Sequence, residues 1–284
     1  MAERAEIFEV GPRDGLQNET GRIATADKIA LVDTLSRAGF RRIEVASFVS
    51  PKWVPQMADS AAVLEGINRA PGVRYAALTP NTHGLEAAIA ARADEVAIFG
   101  SASEGFSKAN INATVAESLE RFGPVARAAR SAGLPVRGYV SCVTDCPYDG
   151  SIAPGQVANV ARALFDLGCY EISLGDTLGQ ATPERIAEML AVVTQEVPAE
   201  RLAGHYHDTA GRALENIEAS LGRGLRVFDA AAGGLGGCPY APGAAGNVAT
   251  EKVQARLAEL GFDTGLDRAV LDKAAGMARA LRAS

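Results

Sequence analysis

Two of the three histidines in this 284-residue chain stand two positions apart, in Gly204-His205-Tyr206-His207-Asp208-Thr209. Side chains two apart on a strand project from the same face, so both imidazoles could ligate one cation. The plainer alternative is a pair of polar residues at a strand end, each satisfied by hydrogen bonds; the scarcity of histidine elsewhere favours the metal. Further ligands must come from other segments, and Asp14 and Asn247 are the best placed oxygen donors. Two imidazoles with oxygens and water suit an octahedral Mg²⁺, Mn²⁺ or Co²⁺ better than a tetrahedral zinc, and availability favours Mg²⁺ or Mn²⁺. Asp208 competes as a carboxylate, but its parity differs from that of the histidines. Its place before Thr209-Ala210-Gly211 reads as a helix cap.

The segment Gly11-Pro12-Arg13-Asp14-Gly15-Leu16-Gln17-Asn18-Glu19 is charged and turn-rich. A surface loop whose Arg and Asp simply pair would look the same. Beside a metal-bound carboxylate, however, the Arg13 guanidinium suits a carbonyl that becomes an enolate, because its charge is not gated by pH. The run Gly233 to Asn247 carries too much glycine for a mere connector and reads as an active-site lid. It does not match a phosphate-binding loop. Cys238 within it is a thiol in a mobile loop over a polar mouth, a candidate proton donor or acceptor. Cys142, Cys146 and Cys169 read as packing residues, since no second pair completes a zinc site around Cys142 and Cys146. Trp53 and Met57 read as loop packing.

The elements that must position these groups alternate steadily. Short apolar runs at Glu6 to Val10, Arg42 to Ala46, Val73 to Thr79, Glu95 to Phe99, Val136 to Ser141, Tyr170 to Leu174, Leu202 to Tyr206 and Arg226 to Ala230 each precede a stretch of helical period. Thr25, Asn112 and Thr182 mark helix starts; Gly39, Gly133, Gly168 and Gly224 mark helix ends. Eight βα units spaced roughly 30 residues apart predict a TIM (β/α)8 barrel, closed by Thr250 to Leu260 and an extra C-terminal helix from Leu266 to Leu281. An open doubly wound sheet uses the same alternation but lacks its G-x-G-x-x-G here. Polar residues then fall at the C-terminal ends of strands, where such barrels place their chemistry: Arg13 and Asp14, Glu44, Asn81, Ser101, Ser103 and Glu104, Ser141, Asp176, His205 and His207.

A formal charge of −6 and a pI near 5.3, without a basic tract, make nucleic acid a poor partner. No segment reaches the ~18 apolar residues a membrane span needs. The N-terminus MAERAEIFEV lacks a basic region followed by a long apolar stretch, and the C-terminus is not a peroxisomal address, so the expected compartment is the cytoplasm. One domain over 1–284 is expected, because no linker or composition shift divides the chain.

The segments GPRDGLQNE, IEVASFVSPKWVPQMAD, GYVSC, YEISLGDT, GHYHDT and GLGGCPYAPGAAGN resemble 3-hydroxy-3-methylglutaryl-CoA lyases, from residue 6 to about residue 252. The resemblance implies a TIM barrel of the pyruvate carboxyltransferase-like type and an acyl-CoA substrate. It implies retro-Claisen cleavage of 3-hydroxy-3-methylglutaryl-CoA to acetyl-CoA and acetoacetate, in leucine breakdown and ketone-body formation. It also implies a homo-oligomer, a dimer or higher. Asp14, His205, His207 and Asn247 would ligate the metal, and Arg13 would stabilise the thioester enolate. Cys238 would take part in proton transfer, with Glu44 and Asp176 supporting the site; Asp14 and His205 are both candidates for the first base. Thr20 stands where many members carry lysine, Tyr206 where cysteine is common, and Ala230 and Ala231 where serines are frequent. These departures leave the acyl-chain preference open. The competing readings are a metal-dependent Claisen synthase or aldolase on the same barrel, a lyase for another 3-hydroxyacyl-CoA, and a CoA-ester binder without turnover.

Overall fold

The computed structural model describes residues 2–238 and 241–283, with side chains for 2–237 and 246–282. Eight short strands form one closed parallel barrel: β1 (Glu6–Glu9), β2 (Arg42–Ser47), β3 (Arg74–Leu78), β4 (Glu95–Ser101), β5 (Val136–Ser141), β6 (Glu171–Asp176), β7 (Leu202–Tyr206) and β8 (Val227–Ala230). They neighbour one another in chain order. Closure comes from β8 pairing with β1, Val227 opposite Glu6 through Ala230 opposite Glu9. The TIM barrel expected from the alternation is the observed fold. Strand ends move by one or two residues; β6 runs on through Asp176, so that carboxylate ends the strand rather than following it.

The helices are α1 (Thr25–Leu35), α2 (Ser60–Gly66), α3 (Thr82–Ala90), α4 (Glu104–Ile111), α5 (Val115–Ser131), α6 (Pro154–Asp166), α7 (Pro183–Val193), α8 (Ala213–Leu221), α9 (Thr250–Glu259) and the extra C-terminal α10 (Arg268–Ala283). Outward strand residues such as Ile43, Val96, Ile98, Ile172 and Leu174 meet Leu35, Leu164, Ile186 and Leu190 of the helices in one continuous apolar shell. Burial of that area supplies most of the driving force for folding. No helix among the described residues is long and apolar enough to cross a membrane.

The barrel interior is unusual for the fold, where branched aliphatic residues ordinarily fill the layers. Here Arg42, Glu44, Arg137, Glu171, Ser173 and Asp229 all lie buried on strands. Burying charge is costly unless each is paired. Arg137 meets Asp229 through both its terminal nitrogens, 2.7 and 3.0 Å, and Glu171 through Nε at 2.7 Å. Arg42 binds Glu171 at 2.9 Å and Glu6 at 2.6 Å.

Several local expectations change. Thr25 is the first residue of α1, not its cap, and its hydroxyl donates to Asp59 at 2.7 Å. Asn112 takes a left-handed conformation that ends α4, and Thr114 caps α5 through a reciprocal bond with Glu117. The inserted helix α4 is what displaced that start. Thr182 does cap α7, and Gly39, Gly133, Gly168 and Gly224 all have positive φ, as C-caps require. The glycine-rich run is no simple loop: a turn at Ala232–Gly234 leads into an antiparallel ladder of Gly237–Cys238 with Ala241–Ala245. Met57 packs, but Trp53 is 83% exposed, so its loop-packing assignment was wrong. The tight turns that follow Ser50 hold the backbone without enclosing the indole.

Candidate active site

β7 carries His205 inward, and period two sends Tyr206 the other way, where its hydroxyl meets Ser220 of α8 at 2.7 Å. His207 follows the strand and is held by an antiparallel bridge to Asn247. The two imidazole rings lie 5.5 Å apart. On the far side of the closure, Gly11–Gly15 forms a single π-helical turn that delivers Arg13 and Asp14 to the mouth. Its floor is Glu9, whose carboxylate accepts from the Gly11 and Ala232 amides at 2.8 and 2.9 Å and from the Thr250 hydroxyl at 2.7 Å. A Cβ at Gly11 would stand 2.5 Å from the Glu9 carboxylate, so a larger residue there would displace that side chain from its hydrogen bonds.

Asp14, His205 and His207 bring one potential ligand atom each to within 4.8 Å of one another. The set is a carboxylate and two imidazoles, and His207 Nδ1 is buried without a hydrogen-bond partner. An orphaned ring nitrogen beside a carboxylate fits a cation, since an unpaired buried acceptor otherwise costs about 1–3 kcal/mol. Burial and the neighbouring His205 push the His207 pKa down to about 4, which keeps its ring neutral and able to ligate. Burial raises the Asp14 pKa, but Arg13 above all, then the two histidines and the Asn247 amide, hold it at about 2. For His205, burial opposes the proton, yet the hydrogen bond and charge of Asp229 and the charge of Asp14 leave its pKa above the ordinary value.

Asn247 reaches the cluster with its amide nitrogen, which donates to Asp14 Oδ2 at 2.8 Å. As a ligand it would present the carbonyl oxygen, the other end of the same planar group. Arg13 is 5% exposed; its Nη1 donates to Asp14 at 2.7 Å and its Nε to Glu44 at 2.6 Å, and its guanidinium sits 5.6 Å from the centre of the Tyr139 ring. Glu44 is fully buried, with Oε1 unpartnered. The two carboxylates therefore fix the guanidinium plane at the mouth.

Asp176 stands apart from the cluster. Its oxygens accept from the Gly179 and Ala181 amides at 3.1 and 3.0 Å, ordering a turn whose Gly179 carbonyl in turn accepts from the Ala210 amide at 2.9 Å. It supports the strand end that carries His207 and does not touch the centre. Asp208 is not the residue that caps a helix as its place before Thr209 suggested: residues 209–211 form a turn and Arg212 stands at the N-cap of α8, although the Asp208 carboxylate accepts from the Ala213 amide at 3.1 Å. Asn81 and Ser103 cap α3 and α4, Ser101 accepts from the Ser103 amide, and Glu104 accepts from the Val115 amide, so those mouth residues serve helix starts. Cys142, Cys146 and Cys169 are buried and free. Cys238 lies on the described ladder, but its side chain falls outside the described residues.

Asp229, Arg137, Glu9 and Gln17 were not singled out from the sequence. Gln17 donates to Asp14 at 2.9 Å, and Asp229 lies 3.1 Å from His205 Nδ1. A signal existed: charges at period-two positions inside predicted barrel strands, Arg137 and Glu171 among them, have no solvent to face.

The model of the HMGL-like family matches residues 4–277. A protein of Gallus gallus named hydroxymethylglutaryl-CoA lyase, mitochondrial, is 57% identical over 265 residues, covering 93% of this chain and 89% of the relative. A Pseudomonas aeruginosa protein named 3-hydroxy-3-isohexenylglutaryl-CoA/hydroxy-methylglutaryl-CoA lyase is 58% identical over 267 residues, 94% of this chain and 89% of the relative. The crystal structure of the HMG-CoA lyase of Brucella melitensis superposes with a TM-score of 0.99 at 61% identity, covering 100% of both chains.

Proposed function

The chain belongs to the HMGL-like family, and from that membership together with the mouth geometry we infer that it is a carbon-carbon lyase that cleaves 3-hydroxy-3-methylglutaryl-CoA to acetyl-CoA and acetoacetate. The observation that carries the reading is the convergence of Asp14, His205 and His207 beside a buried, doubly anchored Arg13. Those three residues, with the amide oxygen of Asn247, would hold Mg²⁺, Mn²⁺ or another divalent cation. Such an ion supplies Lewis-acid stabilisation of negative charge on a ligating oxygen, worth several kcal/mol.

The chain's own groups do the rest. The substrate hydroxyl gives its proton to the first base, for which Asp14 and His205 are the candidates, the bond between C2 and C3 breaks as the ketone forms, and the electron pair leaves as the thioester enolate. Arg13, held in one plane by Asp14 and Glu44, donates to that enolate oxygen and stays charged throughout. Cys238 returns a proton to the enolate carbon, and Asp176 keeps the His207 end of β7 in place. The acyl-CoA is the partner. Residues 1–284 act as one catalytic domain, assembled as a homo-oligomer and working in the cytoplasm, in leucine degradation and ketone-body metabolism.

Incubation with 3-hydroxy-3-methylglutaryl-CoA and Mg²⁺ or Mn²⁺ should yield acetoacetate and acetyl-CoA in equal amounts, and Cys238→Ala should lose most of that turnover. No acetoacetate, or thiol release from acetyl-CoA with a 2-oxo acid instead, would replace the lyase with a synthase or a binder.

A further inference from the structure

Asp229 lies on β8 inside the barrel, 1% exposed. Oδ1 accepts from Arg137 at 2.7 Å, and Oδ2 accepts from Arg137 at 3.0 Å and from the Ser173 hydroxyl at 2.7 Å. The same Oδ2 stands 3.1 Å from His205 Nδ1. A carboxylate gripped at both oxygens by a guanidinium is ionised and offers acceptors only, so the hydrogen in that contact belongs to Nδ1. An imidazole protonated at Nδ1 has its lone pair on Nε2, which is the nitrogen 3.9 Å from Asp14. Among the described residues His207 has no carboxylate of this kind behind it and meets the Thr177 backbone instead.

We propose that Asp229, locked by Arg137 and Ser173, is a positioning residue that holds His205 as the Nδ1–H tautomer in one ring orientation, so that Nε2 is the atom offered to a divalent cation. This rests on the reading of Asp14, His205 and His207 as a cation site. Arg137 is itself anchored through Glu171 to Arg42, so the orientation of one ligand at the mouth is referred to the floor of the barrel. Ligand orientation from a buried carboxylate of this kind commonly changes metal affinity about 10–100-fold.

The chain has three histidines, and His83 is exposed, so a long-range proton–nitrogen spectrum of ¹⁵N-histidine protein resolves His205 without any substitution. Recorded on metal-free protein at a pH where the His205 ring is neutral, the wild-type spectrum should show His205 protonated at Nδ1 with an unprotonated Nε2. Titration with Mn²⁺ alone should give one ion per chain, bound about 10–100-fold more weakly by Asp229→Asn and less weakened by Ser173→Ala. A His205 protonated at Nε2 in the wild type, or an Asp229→Asn affinity within two-fold of it, overturns the proposal. If Asp229→Asn does not fold, the wild-type spectrum decides. A chain that binds Mn²⁺ through an Nδ1–H His205 yet releases no acetoacetate supports this proposal and removes the lyase reading alone; one that binds no Mn²⁺ overturns both.

Discussion

Deep in the barrel Arg137 has no solvent exposure and faces two carboxylates whose every oxygen is engaged, whereas at the mouth Arg13 leaves Glu44 Oε1 bare and His207 keeps a buried nitrogen without a partner. Both regions are charged, and both are buried. The difference is completeness. In the interior Arg42 and Arg137 balance Glu171 and Asp229, a set closed among its own charges except where Arg42 also meets Glu6 and Asp229 also meets His205. At the mouth the acceptors exceed the donors supplied by the chain, and the surplus collects where Asp14, His205 and His207 meet. Incomplete pairing is tolerable there because a cation and a substrate would complete it, at a standing cost of about 1–3 kcal/mol for each unpaired polar group.

The contrast can be broken most severely from the inside. Arg137→Met should leave Asp229 and Glu171 buried without their shared counterion and cost about 3–5 kcal/mol of stability by urea unfolding. A loss under 1 kcal/mol would mean that the interior network is not a closed set. Arg13→Lys keeps the charge but loses the planar fork, and the rate should fall about 100-fold or more, with a smaller stability change than at Arg137. Comparing kcat with Tm for the two variants separates the regions; equal effects on both would erase the distinction.

The subtlest test uses Glu9, beneath the Arg13 turn, whose burial pushes its pKa from 4.5 to about 7 despite three hydrogen bonds. Its folded value is the higher one, so its contribution to stability is fullest below pH 4.5 and is lost as pH rises through 7. The loss amounts to about 3 kcal/mol by proton linkage. Glu9→Gln should flatten that slope, so the stability gap between the metal-free variant and wild type should shift in the variant's favour from pH 5 to pH 8. Asp14, a short turn away, is shifted in the opposite direction because Arg13 stands beside it. A constant gap across that range would show that Glu9 is ionised in the fold.

Much of the barrel was legible because strand and helix periods are local. The runs around Ile43, Val96 and Ile172 announced outward faces, and glycines such as Gly39 announced helix ends. Asn112 misled because one short helix was inserted before α5, and a polar residue can close one helix as readily as open the next. Trp53 misled because local sequence says little about which loop residues find a neighbour. Arg137 and Asp229 went unread because the value of a buried charge depends on a partner far away in the chain.

The shared face of His205 and His207, the outward turn of Tyr206 and the close approach of Gly11 to Glu9 follow from backbone geometry within a few residues, so the sequence by itself determined them. Only tertiary closure, with β8 pairing to β1, decided that Asp14 would stand by His205 and that Asp229 would stand behind it. Coulomb and hydrogen-bond energies depend on separations of a few ångströms between strands, and no periodicity along one strand encodes that distance.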